Sequence, residues 1–207
     1  MLRFKRMILG SFVLLLCSTA RSQDPHWDGG PTLLRSASVL DELGLTADKK
    51  QKVSSGIRSI FKSHQQSFRD VQQATEEDKK QEIRDALAKA LNKDTDEMLA
   101  GILSAEQRTR YDQLAIQIRG PSGLLLDGVR SKLKLSDDQV KNIEAARVEM
   151  RTETSKVQRA SRSDPKAGLK KMDEVRQAAL EKAVNLLNDD QKKSWTGLTG
   201  KPFAFLD

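Results

Sequence analysis

A five-residue motif that occurs four times constrains the fold of this 207-residue chain more than any other feature. Each copy has a leucine, then Ser, Thr or Asn, then two residues of which at least one is acidic, and in three copies a final glutamine. This pattern predicts a helix start, because the second side chain caps a free backbone N–H and the glutamine bonds back to the cap. The leucine, cap and final positions are Leu45, Thr46 and Lys49; Leu103, Ser104 and Gln107; Leu135, Ser136 and Gln139; and Leu187, Asn188 and Gln191.

The composition favours an all-α protein. Aromatic residues make up 4% of the chain and charged residues 31%, which suits amphipathic helices with a narrow apolar seam better than a β-sandwich or a barrel. Positive and negative residues alternate along the predicted helices and do not form a basic stripe. We therefore predict that the protein has no nucleic-acid partner.

Residues 1–22 have the three parts of a secretory signal peptide. Three basic residues precede an apolar run from Met7 to Cys17, and small residues follow it. Because this run is too short for a stable transmembrane helix, we predict cleavage, a periplasmic or secreted location, and no stable membrane insertion afterwards. Cleavage would lower the net charge from +7 to +3 and remove Cys17, the only cysteine. Lipidation at Cys17 is the alternative, although Leu16 stands where lipoprotein signals carry a small residue.

The remaining sequence predicts two similar helical units. Matching residues lie 90 positions apart early in each half and 84 apart late in it; examples are Leu34 and Leu124, Leu43 and Leu133, and Tyr111 and Trp195. An internal duplication is the simplest interpretation. We predict an all-α fold of two tandem long-helix hairpins with short capping helices. A flexible lead-in occupies 23–32, the first repeat 33–120 and the second repeat 121–207.

The apolar pattern also predicts the helices of the first repeat. Residues 33–43 are predicted to form a short helix that Gly44 ends. Steps of three and four then predict one long helix from Thr46 to Val71, with His64 on its apolar face. A second long helix is predicted from about Glu76 to Gly101.

The chain lacks the residue patterns of a catalytic or metal site. His26 lies in the predicted lead-in and His64 on an apolar helical face, and no second His or Cys stands at ligand spacing. No serine occupies a nucleophile-elbow motif, and no glycine-rich loop could hold a phosphate. We therefore predict a protein that is not an enzyme and that has no metal or cofactor.

Two apolar groups are candidates for binding. Phe61 and Phe68 lie seven residues apart on one predicted helical face, and Leu124, Leu125 and Leu126 form a continuous run. These side chains either fill the seam between paired helices or line a groove for apolar clients. In the second case they are the client-binding residues.

The motif, its spacing and the signal peptide resemble those of the Spy/CpxP-like family of periplasmic proteins, whose motif is Leu-Thr-x-x-Gln. The resemblance covers residues 33–198 as two tandem units, although only Thr46 keeps the threonine and Lys49 replaces one glutamine. It implies a cradle-shaped, ATP-independent chaperone for unfolded envelope proteins. The alternatives that it implies are an envelope-stress regulator that docks on a membrane sensor kinase, or a metal-responsive protein. Family members often dimerise, so we expect a homodimer or a monomer whose two units replace the dimer.

Overall fold

The computed structural model describes residues 31–205, which form ten α-helices and no β-strand. The predicted all-α class is confirmed. The predicted signal peptide with Cys17, and His26 in the lead-in, lie outside the described residues. None of the ten helices is both long and apolar enough to cross a bilayer. After a 3₁₀ turn at Leu33–Arg35, the helices are α1 (Ala37–Glu42), α2 (Ala47–Ser63), α3 (Gln65–Gln73), α4 (Glu77–Ala100), α5 (Ala105–Gln117), α6 (Pro121–Leu124), α7 (Asp127–Leu133), α8 (Asp137–Ala160), α9 (Pro165–Val184) and α10 (Asp189–Thr199).

Helices α2 and α3 pack antiparallel against α4. In the middle of α2, Gly56 lies so close to α4 that an added Cβ would be 2.2 Å from the Met98 sulfur. Farther along the chain, His64 Nε2 lies 2.7 Å from Asp94 Oδ2, which is earlier in α4 than Met98. The apolar face of α4 is buried along this contact, so α4 contributes much of the buried surface of the first half.

The boundaries in the first half differ from the prediction in two places. The long helix predicted from Thr46 to Val71 is two helices, with His64 at their junction (φ −97°, ψ 11°). The apolar spacing continues through this junction, since Val71 is still buried, and the spacing therefore gives no sign of the break. The helix predicted at 33–43 is also divided, because Ser36 is extended between the 3₁₀ turn and α1.

Helices α8 and α9 pack against each other, again in opposite directions. Near their connection, Gly168 lies against Ser161, and an added Cβ there would be 2.5 Å from the serine Cβ. Farther from the connection, Lys182 of α9 pairs with Glu149 of α8. The short helix α6 packs against both helices, and just before it Arg176 of α9 donates a hydrogen bond to the Ile118 carbonyl at the end of α5.

The buried apolar side chains form three clusters. The first, around Leu34 and Leu114, joins the 3₁₀ turn, α1, α2, α5 and the end of α4. The second lies between α3, α4 and the end of α2 and contains Ile60, Val71, Leu87 and Leu91. The third, around Leu124 and Trp195, joins the helices from α6 to α10.

The segment that follows α10 returns to the first half. Gln117 on α5 donates through Nε2 to the carbonyls of Thr199 (2.6 Å) and Lys201 (2.8 Å), and its Oε1 accepts from the Phe203 backbone N–H (3.0 Å). The rings of Phe203 and Phe205 meet edge to face and pack against the first cluster. This segment therefore fastens the second half of the chain to the first.

Candidate functional site

The second motif of the first half joins two parts of the fold as well as capping α5. Ser104 and Gln107 form a capping box at the start of the helix. The Gln107 amide also donates through Nε2 to the carbonyls of Leu43 (3.0 Å) and Gly44 (3.3 Å), which end the α1 segment. Its Oε1 accepts from Lys49 Nζ at 3.0 Å, so the final positions of the two motifs meet.

The second half repeats this connection with two glutamines. Gln191 forms a capping box with Asn188, and its Nε2 donates to the Leu133 carbonyl at 3.1 Å. Gln139 and Gln191 exchange a pair of amide hydrogen bonds, of 2.7 Å and 3.0 Å. Gln139 also caps α8 with Ser136. The final residues of the motifs thus join helix starts that are about fifty residues apart, and the Gln139–Gln191 pair will be called the glutamine clamp.

The chain turn before each first motif is also alike in the two halves. Gly44 (φ 59°) and Lys134 (φ 51°) both adopt the left-handed conformation. The next residue then bonds back across the helix end, from Leu45 N to Leu40 O and from Leu135 N to Arg130 O, both at 3.2 Å. A glycine adopts this conformation without strain, whereas the lysine does not.

Replacing Lys134 with glycine is expected to raise the free energy of unfolding by about 1 kcal/mol, because it removes the strain of a left-handed side-chain residue. Urea unfolding followed by circular dichroism measures this change. Lys132→Gly is the control, since Lys132 is an exposed position inside α7 where glycine is expected to cost about 1 kcal/mol. A loss of stability in both variants would contradict the prediction.

The predicted client-binding residues do not lie together. Phe61 and Phe68 stack with their ring centroids 5.6 Å apart, and both are half-buried against the clusters of the first half. Leu124 is 0% exposed, and Leu125 and Leu126 pack against the cluster of the second half. The structure therefore offers no surface for Leu124 to meet a client, and the five residues do not form one groove.

Of the three large apolar side chains that are exposed within residues 31–205, two lie on α8 and α9. Ile143 is the only large apolar side chain of these two helices that is buried. Val148 is 52% exposed. Met150, Met172 and Val175, which lie on other turns of the same pair, are half-buried. We use the name open face for these four incompletely buried apolar side chains of α8 and α9, although Val148 lies about 200° around α8 from Met150.

A buried arginine accounts for part of this difference between the halves. Arg147 on α8 is 2% exposed and pairs with Glu144 one turn earlier. It stands 90 positions after Ile57, which is a buried apolar residue of the first half. Because a guanidinium replaces a branched alkyl group there, α8 buries a charged group at the position where α2 buries an apolar one.

The titratable side chains give no sign of a catalytic or metal centre within the described residues. No group of three or more His, Cys, Asp or Glu side chains between 31 and 205 is placed to hold a metal ion. His64 Nε2 forms a hydrogen bond with Asp94 Oδ2 of α4. Burial raises the pKa of the Tyr111 hydroxyl well above its usual value, so this group stays neutral in the first cluster.

No protein-family model, curated protein or solved structure matches this chain. Its class is therefore defined by the fold, which over residues 31–205 is all-helical, with exposed apolar side chains on the α8–α9 pair.

Proposed function

We infer that the protein is a non-enzymatic binding protein that holds partly unfolded or apolar polypeptides without ATP. The observation that carries this proposal is the open face of α8 and α9, whose apolar side chains are exposed or half-buried on a helix pair that buries one large apolar side chain, Ile143. We propose that these side chains provide the apolar contacts to the bound polypeptide.

The chemistry of the open face suits clients without a fixed shape. Met150 and Met172 have flexible, polarisable side chains that adapt to different apolar partners. Glu149 of α8 and Lys182 of α9 form an exposed ion pair on the same two helices, and these charges keep the surface around the open face hydrated. Contacts of this kind are individually weak, so a bound polypeptide can leave the surface and fold.

We also propose that the two halves arose by internal duplication of a helical hairpin. The equivalent hydrogen bonds support this origin, because Gln107 and Gln191 donate to the matching carbonyls of Leu43 and Leu133. The resemblance to the Spy/CpxP-like family supports a location in the bacterial envelope after removal of residues 1–22. On this proposal, one chain provides with its two hairpins the paired units that relatives obtain by dimerising.

The protein is expected to suppress aggregation of a chemically denatured test protein, followed by light scattering without ATP. Suppression is expected at equimolar to several-fold ratios. The double variant Val148→Ser and Met172→Ser should bind clients about tenfold more weakly, because it removes apolar contact area worth about 1 kcal/mol at each position.

The control is Leu186→Ser, which changes another exposed apolar residue that lies beyond the end of α9. This variant should suppress aggregation as well as the unchanged protein. The proposal fails if several-fold excess of protein has no effect, or if the double variant and the control behave alike.

A further inference from the structure

The free end of the α8–α9 pair carries a concentration of positive charge. Residues 152–171, which we call the basic tip, contain six basic and two acidic residues, a net charge of +4. The corresponding end of the α3–α4 pair, residues 65–83, contains three basic and five acidic residues, a net charge of −2. The ends of the two helix pairs therefore carry net charges of opposite sign.

Most cations of the basic tip have no ionic partner. Lys156 pairs with Glu153 at 2.7 Å. Within the described part of the chain, five exposed basic residues of the tip make no ion pair; they are Arg159, Arg162, Lys166, Lys170 and Lys171. The side-chain hydrogen bonds of residues 152–171 all stay within four positions in sequence. These five side chains are thus available to bind an anionic partner.

The packing of α9 directs part of this charge outward. Gly168 is the residue that lies against Ser161 of the facing segment. Lys166 and Lys170 are each two positions from Gly168, about 200° around the helix, and so lie on the side away from α8. Leu169 directly precedes Lys170 in sequence and is 50% exposed. The end of the pair therefore presents cations around an uncovered apolar side chain.

We propose that the basic tip docks on the surface of an anionic phospholipid bilayer. Unpaired lysines and arginines are attracted to anionic headgroups, and an exposed leucine among them can enter the interface. Helices α8 and α9 contain no aromatic residue on which bases could stack, which favours a lipid surface over a single-stranded nucleic acid. The docking is peripheral and is separate from the client binding of the open face.

Flotation of the full chain with vesicles tests this proposal. Binding is expected to vesicles of phosphatidylcholine with about 30 mol % phosphatidylglycerol and to be lost in about 0.5 M NaCl, where screening is strong. The tip variant should bind these vesicles at least about tenfold more weakly. It combines Arg162→Gln, Lys166→Gln, Lys170→Gln and Lys171→Gln.

A control variant changes the same number of exposed charges outside the basic tip. It combines Lys62→Gln, Arg69→Gln, Lys79→Gln and Lys89→Gln, and it should bind the anionic vesicles within about twofold of the unchanged chain. Both variants keep residues 1–22, so any vesicle binding through that segment is common to them. Circular dichroism checks that each variant is folded.

Three results would overturn the proposal. The first is equal loss of vesicle binding in the tip variant and the control variant. The second is equal binding of the unchanged chain to anionic vesicles and to pure phosphatidylcholine. The third is tip-dependent binding to a single-stranded oligonucleotide with none to anionic vesicles. None of these results bears on the suppression of aggregation, so the two proposals can fail separately.

Discussion

Replacing Gln191 with glutamate is expected to lower the free energy of unfolding by about 3 kcal/mol. At this position of an ordinary capping box, glutamate and glutamine serve equally well. The expected loss arises because Gln191 is 8% exposed and its Nε2 donates to the Leu133 carbonyl and to Gln139 Oε1. A carboxylate would face two oxygen acceptors there without a proton to offer either of them.

Urea unfolding measures this loss, and the matching variant in the first half is the control. In Gln107→Glu the new carboxylate would meet Lys49 Nζ, which already lies 3.0 Å from the glutamine Oε1. That attraction offsets part of the lost bonds to Leu43 and Gly44, so a loss of only about 1 kcal/mol is expected. A Gln191→Glu variant as stable as the unchanged protein would show that the residue is a cap and nothing more.

Replacing Gly123 with alanine is expected to cost about 2 to 3 kcal/mol, because the added methyl group has no space between α5 and α6. Its Cβ would lie 2.7 Å from the Ile116 carbonyl oxygen and 3.4 Å from the ring of Trp195. The carbonyl belongs to the helix backbone and cannot rotate away. Trp195 is buried at this junction, so its fluorescence should shift towards that of an exposed tryptophan.

Thermal unfolding of Gly123→Ala, with tryptophan fluorescence, provides the test. Gly128→Ala is the matched control, because Gly128 lies in α7 and an added Cβ would meet nothing within 4 Å. Alanine there should be neutral or stabilising by about 0.5 kcal/mol. Similar effects of the two substitutions would exclude the close contact of α6 with α5 as the cause.

The helix starts were predictable from the sequence because capping is a local interaction. The capping boxes at Ser104, Ser136 and Asn188 involve residues only three positions apart. The glutamine clamp was not predictable, since it joins residues 52 positions apart. Gln139 and Gln191 both cap a helix and bond to each other, and the local sequence pattern indicates only the capping.

The open face was missed because apolar periodicity does not measure burial. Arg147 at the position of Ile57 is one difference between the two cores, and Ser161 at the position of the buried Val71 is another. The basic tip was not recognised from the sequence either, because the net charge of the whole chain adds its cations to the acidic residues of other segments. A comparison of the two halves, residue by residue, would have shown both differences.

The segment after α10 has a consequence for the order in which the protein can be completed. Phe203 packs against the first cluster and bonds to Gln117, a residue that is synthesised 86 positions earlier. While the second half is still being made, the first half lacks this covering and exposes apolar side chains. The first half is therefore synthesised first, but its packing is completed only after the segment that contains Phe203 has been made.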